Sequence, residues 1–352
     1  MDSLTTEFKN AIRRGSIDAV RNLETCDRVY ALKVAVEVGN LDIVKYLIEQ
    51  GVDDKGKNSA LKDAVFFNRL KVVKYLIEQG ANVHTDEDWA LRWAAEHSSI
   101  EIVKYLVEKG ANIHARGDEA LGWAVYRNRV DVIKYLIEQG ADVTAAGNFA
   151  VRSALSNGYL ETAKYLIEQG ASVNWSHELA WPARNGHLEV VKFLIENGAN
   201  IHTNNDAALR YAAESGHLEV VKYLVEKGAN IHAYGNEALL EAIREKHADI
   251  VEYLIEKGAL IDEYALETAI RTGNIAIIKY LIKKGARVEK VDYSNLISRR
   301  RYKEVLYILL EHMSDQKLLQ LLISDNNRLR RAVRAYMKRK NKDEPNRSLL
   351  VR

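Results

Sequence analysis

The sequence has little of what marks secreted, disulfide-linked or membrane-spanning proteins. It contains a single cysteine, Cys26, among 352 residues, which excludes an intrachain disulfide framework. No stretch approaches about 18 uninterrupted apolar residues, so a membrane span is not expected. The first residues have neither a basic start nor an apolar run, so no secretion signal is expected either. From these absences we expect a soluble, intracellular protein, in the cytoplasm or the nucleus.

Proline is also rare, with two residues in the whole chain, and the hydrophobic residues, 47% of the total, are spread evenly. Because no change of composition precedes residue 293, one continuous array is a simpler interpretation than two or three ordinary domains. The formal net charge of +2 hides an asymmetry, since residues 1–327 carry 41 Lys and Arg against 47 Asp and Glu. Residues 328–352 carry 10 against 2, so the body is mildly acidic and the tail is basic.

A heptapeptide, Lys-Tyr-Leu-Ile-Glu-Gln-Gly at residues 45–51, returns with few changes along most of the chain. The glycines that close its copies are 27 to 30 residues apart, and they are Gly51, Gly80, Gly110, Gly140, Gly170, Gly198, Gly228, Gly258 and Gly285. A period near 30 residues predicts a solenoid of stacked units rather than a compact enzyme. Function must then depend on what differs between the copies.

Residues 90–119 illustrate one unit, which we predict to contain two short helices. Alanines and one leucine share a face of the first, helix A, and small side chains there let a second helix approach closely. The second, helix B, carries an apolar stripe and ends at the closing glycine. Between the helices, most units place a residue that tolerates a left-handed turn: Gly39, Asn68, Asn128, Gly158, Gly186, Gly216 and Gly273. The polar segment after each closing glycine is expected to form a short extended finger.

Residues 186–200 and 216–230 read GHLEVVKFLIENGAN and GHLEVVKYLVEKGAN. They resemble the second half of an ankyrin repeat, and the resemblance recurs over roughly residues 1–313. It implies an all-α ankyrin-repeat solenoid of about eleven units, in which helix A lines a concave groove. The short, nearly identical units are also similar to the ankyrin arrays of giant DNA viruses of amoebae, which implies a viral protein acting on factors of the host cell.

The sequence departs from the family in the length and the opening of its units. They have about 30 residues instead of about 33, and Trp89-Ala-Leu-Arg92 stands where the family has Thr-Pro-Leu-His. Since the missing residues come from the finger, recognition by helix A is favoured over recognition by finger tips. Four segments are expected: a capping repeat at 1–30, nine repeats at 31–292, a degenerate repeat or cap at 293–323, and a basic amphipathic helix with a disordered tail at 324–352.

Helix A is where the copies differ. One position holds, in order, Val34, Asp63, Trp93, Trp123, Ser153, Trp181, Tyr211, Glu241 and Thr268. The aromatic side chains at this position and on the same helical face are our candidate partner-binding residues: Trp89, Trp93, His97, Trp123, Tyr126, Trp181 and Tyr211. Two interpretations stay open, because an indole can anchor a partner or pack between neighbouring helices, and can do both.

No nucleophile, base and orienting acid recur together, so we predict no catalytic site and no cofactor. Four histidines occupy equivalent places in separate units: His84, His114, His202 and His232. Packed helices lie about 8–10 Å apart, so two such imidazoles are too distant to share a metal ion, and we expect polar finger residues instead. The expected function is therefore that of a monomeric, non-catalytic scaffold that binds a protein partner through helix A.

The C-terminal segment differs in kind from the repeats. Its apolar residues from Leu329 to Met337 follow a helical period, and the intervening basic patch comprises Arg328, Arg330, Arg331, Arg334, Lys338, Arg339 and Lys340. This helix either caps the last repeat, or it contacts nucleic acid, a nuclear-import receptor or an anionic membrane. A ubiquitin-ligase adaptor role, known for viral ankyrin proteins, is weakened because residues 314–323 lack the Leu-Pro start of the recruiting box.

Overall fold

A computed structural model describes residues 10–21, 25–175, 177–291, 303–324 and 326–343. Within these ranges every regular element is a helix, which confirms the all-α fold class. The chain divides into two compact units, Met1–Asn174 and Trp175–Arg352, which are described separately. The part of the predicted disordered tail beyond residue 343 lies outside the described residues, as do residues 293–302 of the predicted degenerate repeat and residues 1–9 and 22–24 of the predicted capping repeat.

The helices follow the predicted order of helix A and helix B. In the first unit, helix A spans Thr25–Val38, Asp54–Phe66, Thr85–His97, Glu119–Tyr126 and Ala145–Ser156, and helix B spans Leu41–Glu49, Leu70–Glu78, Ile100–Glu108, Val130–Glu138 and Leu160–Glu168. A short helix, Asp18–Arg21, precedes them. The predicted boundary at residue 30 lies inside the helix Thr25–Val38 and therefore does not coincide with a break in secondary structure.

In the second unit, helix A spans Ala180–Arg184, Thr203–Glu214, Ala233–Arg244 and Glu263–Thr272, and helix B spans Leu188–Glu196, Leu218–Glu226, Ala248–Glu256 and Ile275–Lys283. A 3₁₀ turn at Val288–Lys290 follows, and then the helices Lys303–Glu311, Asp315–Leu322 and Asn327–Asp343. The last of these contains the predicted basic amphipathic helix.

Alanine and leucine on helix A pack against the apolar stripe of helix B, as the sequence predicts. Leu91 and Leu106 are fully buried in the same repeat, and Ala94 and Ala95 are fully buried beside them. Each helix A also contacts the helix A of the next repeat within its unit. A helix of about nine residues is marginal alone in water, so this shared core between neighbours supplies the stability.

The corners between helix A and helix B adopt the predicted left-handed turn at glycine or asparagine. Gly39 has φ of 79° and Asn68 has φ of 56°, values that favour glycine and asparagine over bulkier residues. The repeat that has Ser98 instead uses an extended backbone, with φ of −96° and ψ of 173°. There the Ser98 hydroxyl donates a hydrogen bond of 2.9 Å to the Val65 carbonyl in the preceding repeat.

The fingers are not extended as expected. In four repeats, three consecutive residues at the start of helix A or just before it lie in the left-handed region: 86–88, 116–118, 204–206 and 234–236. Such a turn costs about 1–2 kcal/mol for each residue other than glycine. The expected extended conformation was wrong. It was inferred from the polarity and the length of the segment, and neither property indicates a left-handed turn that tertiary hydrogen bonds stabilise.

In three of the four left-handed turns the last side chain, Asp88, Asp118 or Asp206, connects two repeats. Asp88 is 5% exposed, and its Oδ1 accepts a hydrogen bond of 2.7 Å from the Asn112 backbone N–H in the next repeat. The same oxygen lies 3.0 Å from Nδ1 of His84. Equivalent contacts join His114 to Asp118, His202 to Asp206 and His232 to Asn236. The finger histidines therefore contact a buried polar side chain that stabilises the stacking of repeats.

Candidate functional site

Four aromatic rings of the first unit stack in one cluster, which is formed by side chains that helix A does not direct into the core. We call these side chains the outward face of helix A. The Trp93 ring centre lies 5.3 Å from that of Trp89 and 4.2 Å from that of His97, as their spacing along one helix predicts. The fourth ring is Phe66 from the preceding helix A, 5.1 Å from Trp93 with an interplanar angle of 21°. Phe66 is 52% exposed and is absent from the sequence prediction.

Trp93 is half-buried inside this cluster, and its indole nitrogen is sealed from solvent. Trp93 Nε1 has no hydrogen-bond partner among the described residues. Leaving a buried donor unpaired costs about 1–3 kcal/mol. Because Trp93 stacks on Phe66 of the preceding repeat, its ring contributes to packing between two repeats.

A second pair of rings lies on the next repeat. Trp123 and Tyr126 meet edge to face, with ring centres 5.8 Å apart, and Tyr126 is 43% exposed. Arg127 connects this pair to the preceding repeat, because its guanidinium lies 5.5 Å from the Tyr126 ring centre and its Nη2 lies 3.3 Å from His97 Nε2. Within the described residues of the first unit, the Trp123 pair has no direct ring contact with the Phe66 cluster. The predicted aromatic strip is thus two clusters joined by an arginine.

A cavity of about 320 Å³ lies beside Trp123. Its apolar wall includes Trp123, Phe149 and Leu121, and its charged rim includes Arg116 and Glu119. The cavity exists where Gly122 replaces the Arg92 of the preceding repeat, and a Cβ atom at Gly122 would lie only 3.1 Å from the Phe149 ring. A small apolar side chain of a partner is the kind of group that this cavity accommodates.

The second unit arranges its aromatic residues differently. The Arg184 guanidinium carbon lies 5.6 Å from the ring centre of Trp181 and 5.5 Å from that of Tyr211. The Arg210 guanidinium carbon then lies 5.6 Å from Tyr211 and 5.3 Å from Tyr234. We call this alternating series of rings and guanidinium groups, Trp181–Arg184–Tyr211–Arg210–Tyr234, the arginine ladder. The sequence predicts its members Trp181 and Tyr211 as site residues but not the other three.

Hydrogen bonds fix both guanidinium groups in place. Arg184 Nη2 donates to Glu214 at 3.2 Å. Arg210 donates to the carbonyl oxygens of Asn204 and Asn205 at 3.0 and 3.2 Å, which are part of the left-handed turn of its own repeat. Because both arginines are held before any partner arrives, little side-chain entropy is lost when one binds.

The helix A that contributes Tyr234 to the ladder also carries a charged cluster. Arg244 forms ion pairs with Glu237 at 2.6 Å and with Glu241, which occupies the position of Trp93. Burial and the neighbouring Glu237 raise the pKa of Glu241. Burial acts to raise the pKa of Glu237. The hydrogen bond from Arg244 acts in the opposite direction, and the pKa of Glu237 is lowered. The outward face therefore changes from aromatic to acidic within the second unit.

No group of three His, Cys, Asp or Glu side chains in the described ranges is arranged to hold a metal ion. None of the described helices has the length and apolar character required to span a bilayer.

A family model with the description "Ankyrin repeats (3 copies)" matches the chain in five segments, which are residues 8–87, 91–177, 144–205, 177–264 and 234–292. Together these segments cover well over half of the sequence. No match was found among curated proteins.

Proposed function

Since the chain belongs to the ankyrin repeat family, we propose that it is a non-catalytic scaffold that binds a protein partner through the outward face of helix A. Ankyrin repeats generally act as protein–protein interaction scaffolds. Helix B changes little from repeat to repeat, so it offers the same side chains everywhere. The choice of partner must therefore depend on helix A, where the repeats differ.

The arginine ladder is the observation that carries this proposal. Its end rings are exposed, with Trp181 at 51% and Tyr234 at 68% of their maximum. Tryptophan, tyrosine and arginine are the residues most enriched among binding hot spots. A partner that covers these rings gains roughly 25 cal/mol for each Å² of apolar surface removed from water. A partner segment with apolar and carboxylate side chains matches the alternation of rings and guanidinium groups.

The proposal is tested by selecting binders from a random displayed-peptide library against the full-length protein. The affinity of a selected peptide is then measured for wild type and for Trp181→Ala with Tyr211→Ala. We expect a loss of about 2 kcal/mol or more, roughly thirtyfold in Kd, because hot-spot rings are removed.

Tyr264→Ala is the matched control, because Tyr264 is a helix A ring that is 69% exposed and lies outside the ladder. Its affinity for the same peptide should stay within about twofold of wild type. Peptides that bind the ladder variant as tightly as wild type would contradict the proposal.

The giant-virus resemblance and a link to ubiquitin ligases concern origin and pathway rather than the surface described above. Both stay predictions from the sequence. The nucleic-acid alternative depends on the C-terminal helix.

A further inference from the structure

The helix Asn327–Asp343 packs one side against protein. Its apolar residues are covered: Leu329 is 4% exposed, Val333 0%, Tyr336 9% and Met337 6%. They contact the helices Lys303–Glu311 and Asp315–Leu322, and the Tyr336 ring centre lies 6.2 Å from that of Tyr307. This packing determines which side of the helix faces solvent.

The opposite side of the same helix is a dense cationic surface. Residues 327–340 contain seven arginines and lysines and no acidic residue. Five of these cations are exposed: Arg328, Arg331, Arg334, Lys338 and Arg339. Within the described residues, none of the seven forms an ion pair with a carboxylate. We call the five exposed cations the C-terminal basic face.

Packing disfavours two of the ligands that the sequence allows for this helix. A helix binds a membrane surface by inserting its apolar side, and here that side is already covered by protein. Single-stranded nucleic acids bind largely by stacking bases on exposed aromatic rings. The only aromatic residue of this helix, Tyr336, is buried. The exposed charges form a row that is suited to a regular array of phosphates.

We propose that the C-terminal basic face binds the phosphate backbone of double-stranded DNA without sequence selectivity. Arg328, Arg331, Arg334 and Lys338 follow one side of the helix over about 15 Å, at about 1.5 Å per residue. B-form DNA presents one negative charge per about 1.7 Å of its axis, so several phosphates lie within this reach. Its wide major groove also accommodates a helical surface, whereas the major groove of A-form RNA is too narrow.

The charge distribution of the chain confines DNA to this face. Residues 1–327 carry 41 basic against 47 acidic side chains, so the repeats as a whole do not attract a polyanion. The contact uses no residue of the arginine ladder. DNA binding at the basic face and partner binding at helix A are therefore separate properties.

The experiment measures anisotropy of a labelled 30-base-pair duplex with the full-length protein at 50, 100 and 200 mM salt. Wild type should give a linear plot of log K against log salt, with a slope of about −0.9 for each phosphate neutralised. The variant Arg331→Gln with Arg334→Gln and Lys338→Gln should make that slope less negative by about 2 to 3. Its affinity at 100 mM salt should fall at least tenfold.

A matched control removes the same charge from exposed lysines on the repeats, by Lys55→Gln with Lys71→Gln and Lys283→Gln. It should keep its affinity within about threefold and its slope unchanged. The melting curves of both triple variants should match wild type, because none of the six side chains is buried.

Three outcomes would overturn the proposal. The first is no binding of the duplex at 50 mM salt, and the second is an equal loss in both triple variants, which would mean attraction by net charge alone. The third is binding to vesicles that contain phosphatidylserine without binding to the duplex, which would assign the face to a membrane. Peptide binding at helix A is not affected by any of these outcomes, so the two proposals fail independently.

Discussion

The outward faces of the two units differ in the kind of side chain that packs against each aromatic ring. In the first unit, Phe66 stacks directly on Trp93, and the indole nitrogen of Trp93 is sealed from solvent. In the second unit, Arg184 lies between Trp181 and Tyr211, and Trp181 is 51% exposed. Phe66 and Arg184 occupy the same position of helix A in their repeats, five residues after the core leucine. One repeat position therefore decides whether the aromatic residue of the following repeat packs against a ring or against a cation.

The largest effect is expected where the two units do not differ. Leu106 in the first unit and Leu224 in the second are both fully buried at the same position of helix B. Changing either to alanine should lower the free energy of unfolding by about 2–5 kcal/mol, because each leaves a cavity in the core shared by adjacent repeats. Urea denaturation measures the loss. If either variant unfolds at the wild-type urea concentration, that leucine does not belong to the core.

An intermediate effect should separate the two aromatic arrangements. Trp93→Ala is expected to destabilise the protein by about 2–4 kcal/mol, since the ring contacts three others, whereas Trp181→Ala should change stability by less than about 1 kcal/mol. Trp93→Phe is the control, because it keeps a ring and removes the unpaired donor. Equal losses of stability in Trp93→Ala and Trp181→Ala would show that the stacked cluster and the arginine ladder do not differ in how much their rings contribute to stability.

The candidate roles of Trp93 and Trp123 in partner binding stay predictions. If both are anchors, Trp93→Ala with Trp123→Ala weakens peptide binding by about 2 kcal/mol or more while the fold survives. If Trp93 serves packing alone, binding by the double variant follows only the fraction of protein that is folded. The affinities of peptides selected against the full-length protein distinguish these results when folding is followed by circular dichroism.

The smallest effect concerns Asp63, which occupies the position of Trp93 one repeat earlier. Burial raises the pKa of Asp63, Lys33 opposes this effect, and Glu37 adds to it. The folded state therefore disfavours the charged carboxylate, so Asp63 contributes less stability as pH rises from below its usual value through the raised pKa. Asp63→Asn should raise the melting temperature slightly at pH 7 and leave it unchanged near pH 3. A variant that is less stable at pH 7 would contradict this.

Much of the fold could be predicted from the sequence because the same pattern recurs in each repeat. The period, the order of the two helices, the buried face at Leu91 and Ala94, and the left-handed corner at Gly39 all depend on contacts that are local or repeated in each copy. The candidate site was only partly predictable. Trp89, Trp93 and His97 lie on one helix, so their spacing was enough to bring them together. Phe66 and Arg210 could not be predicted in the same way, because their contacts with Trp93 and Tyr234 join successive repeats and are not encoded by spacing along one helix.

What the sequence by itself determined is the repeated architecture and the location of its variable face, since a pattern of period about 30 leaves one way to bury its apolar residues. Only the tertiary structure decided the left-handed turns at the fingers, because three residues in that region are stable only when Asp88 and its equivalents bond to the next repeat. It also decided which ring meets a ring and which meets a guanidinium. That outcome depends on side chains from two successive repeats, and neither repeat contains the information alone.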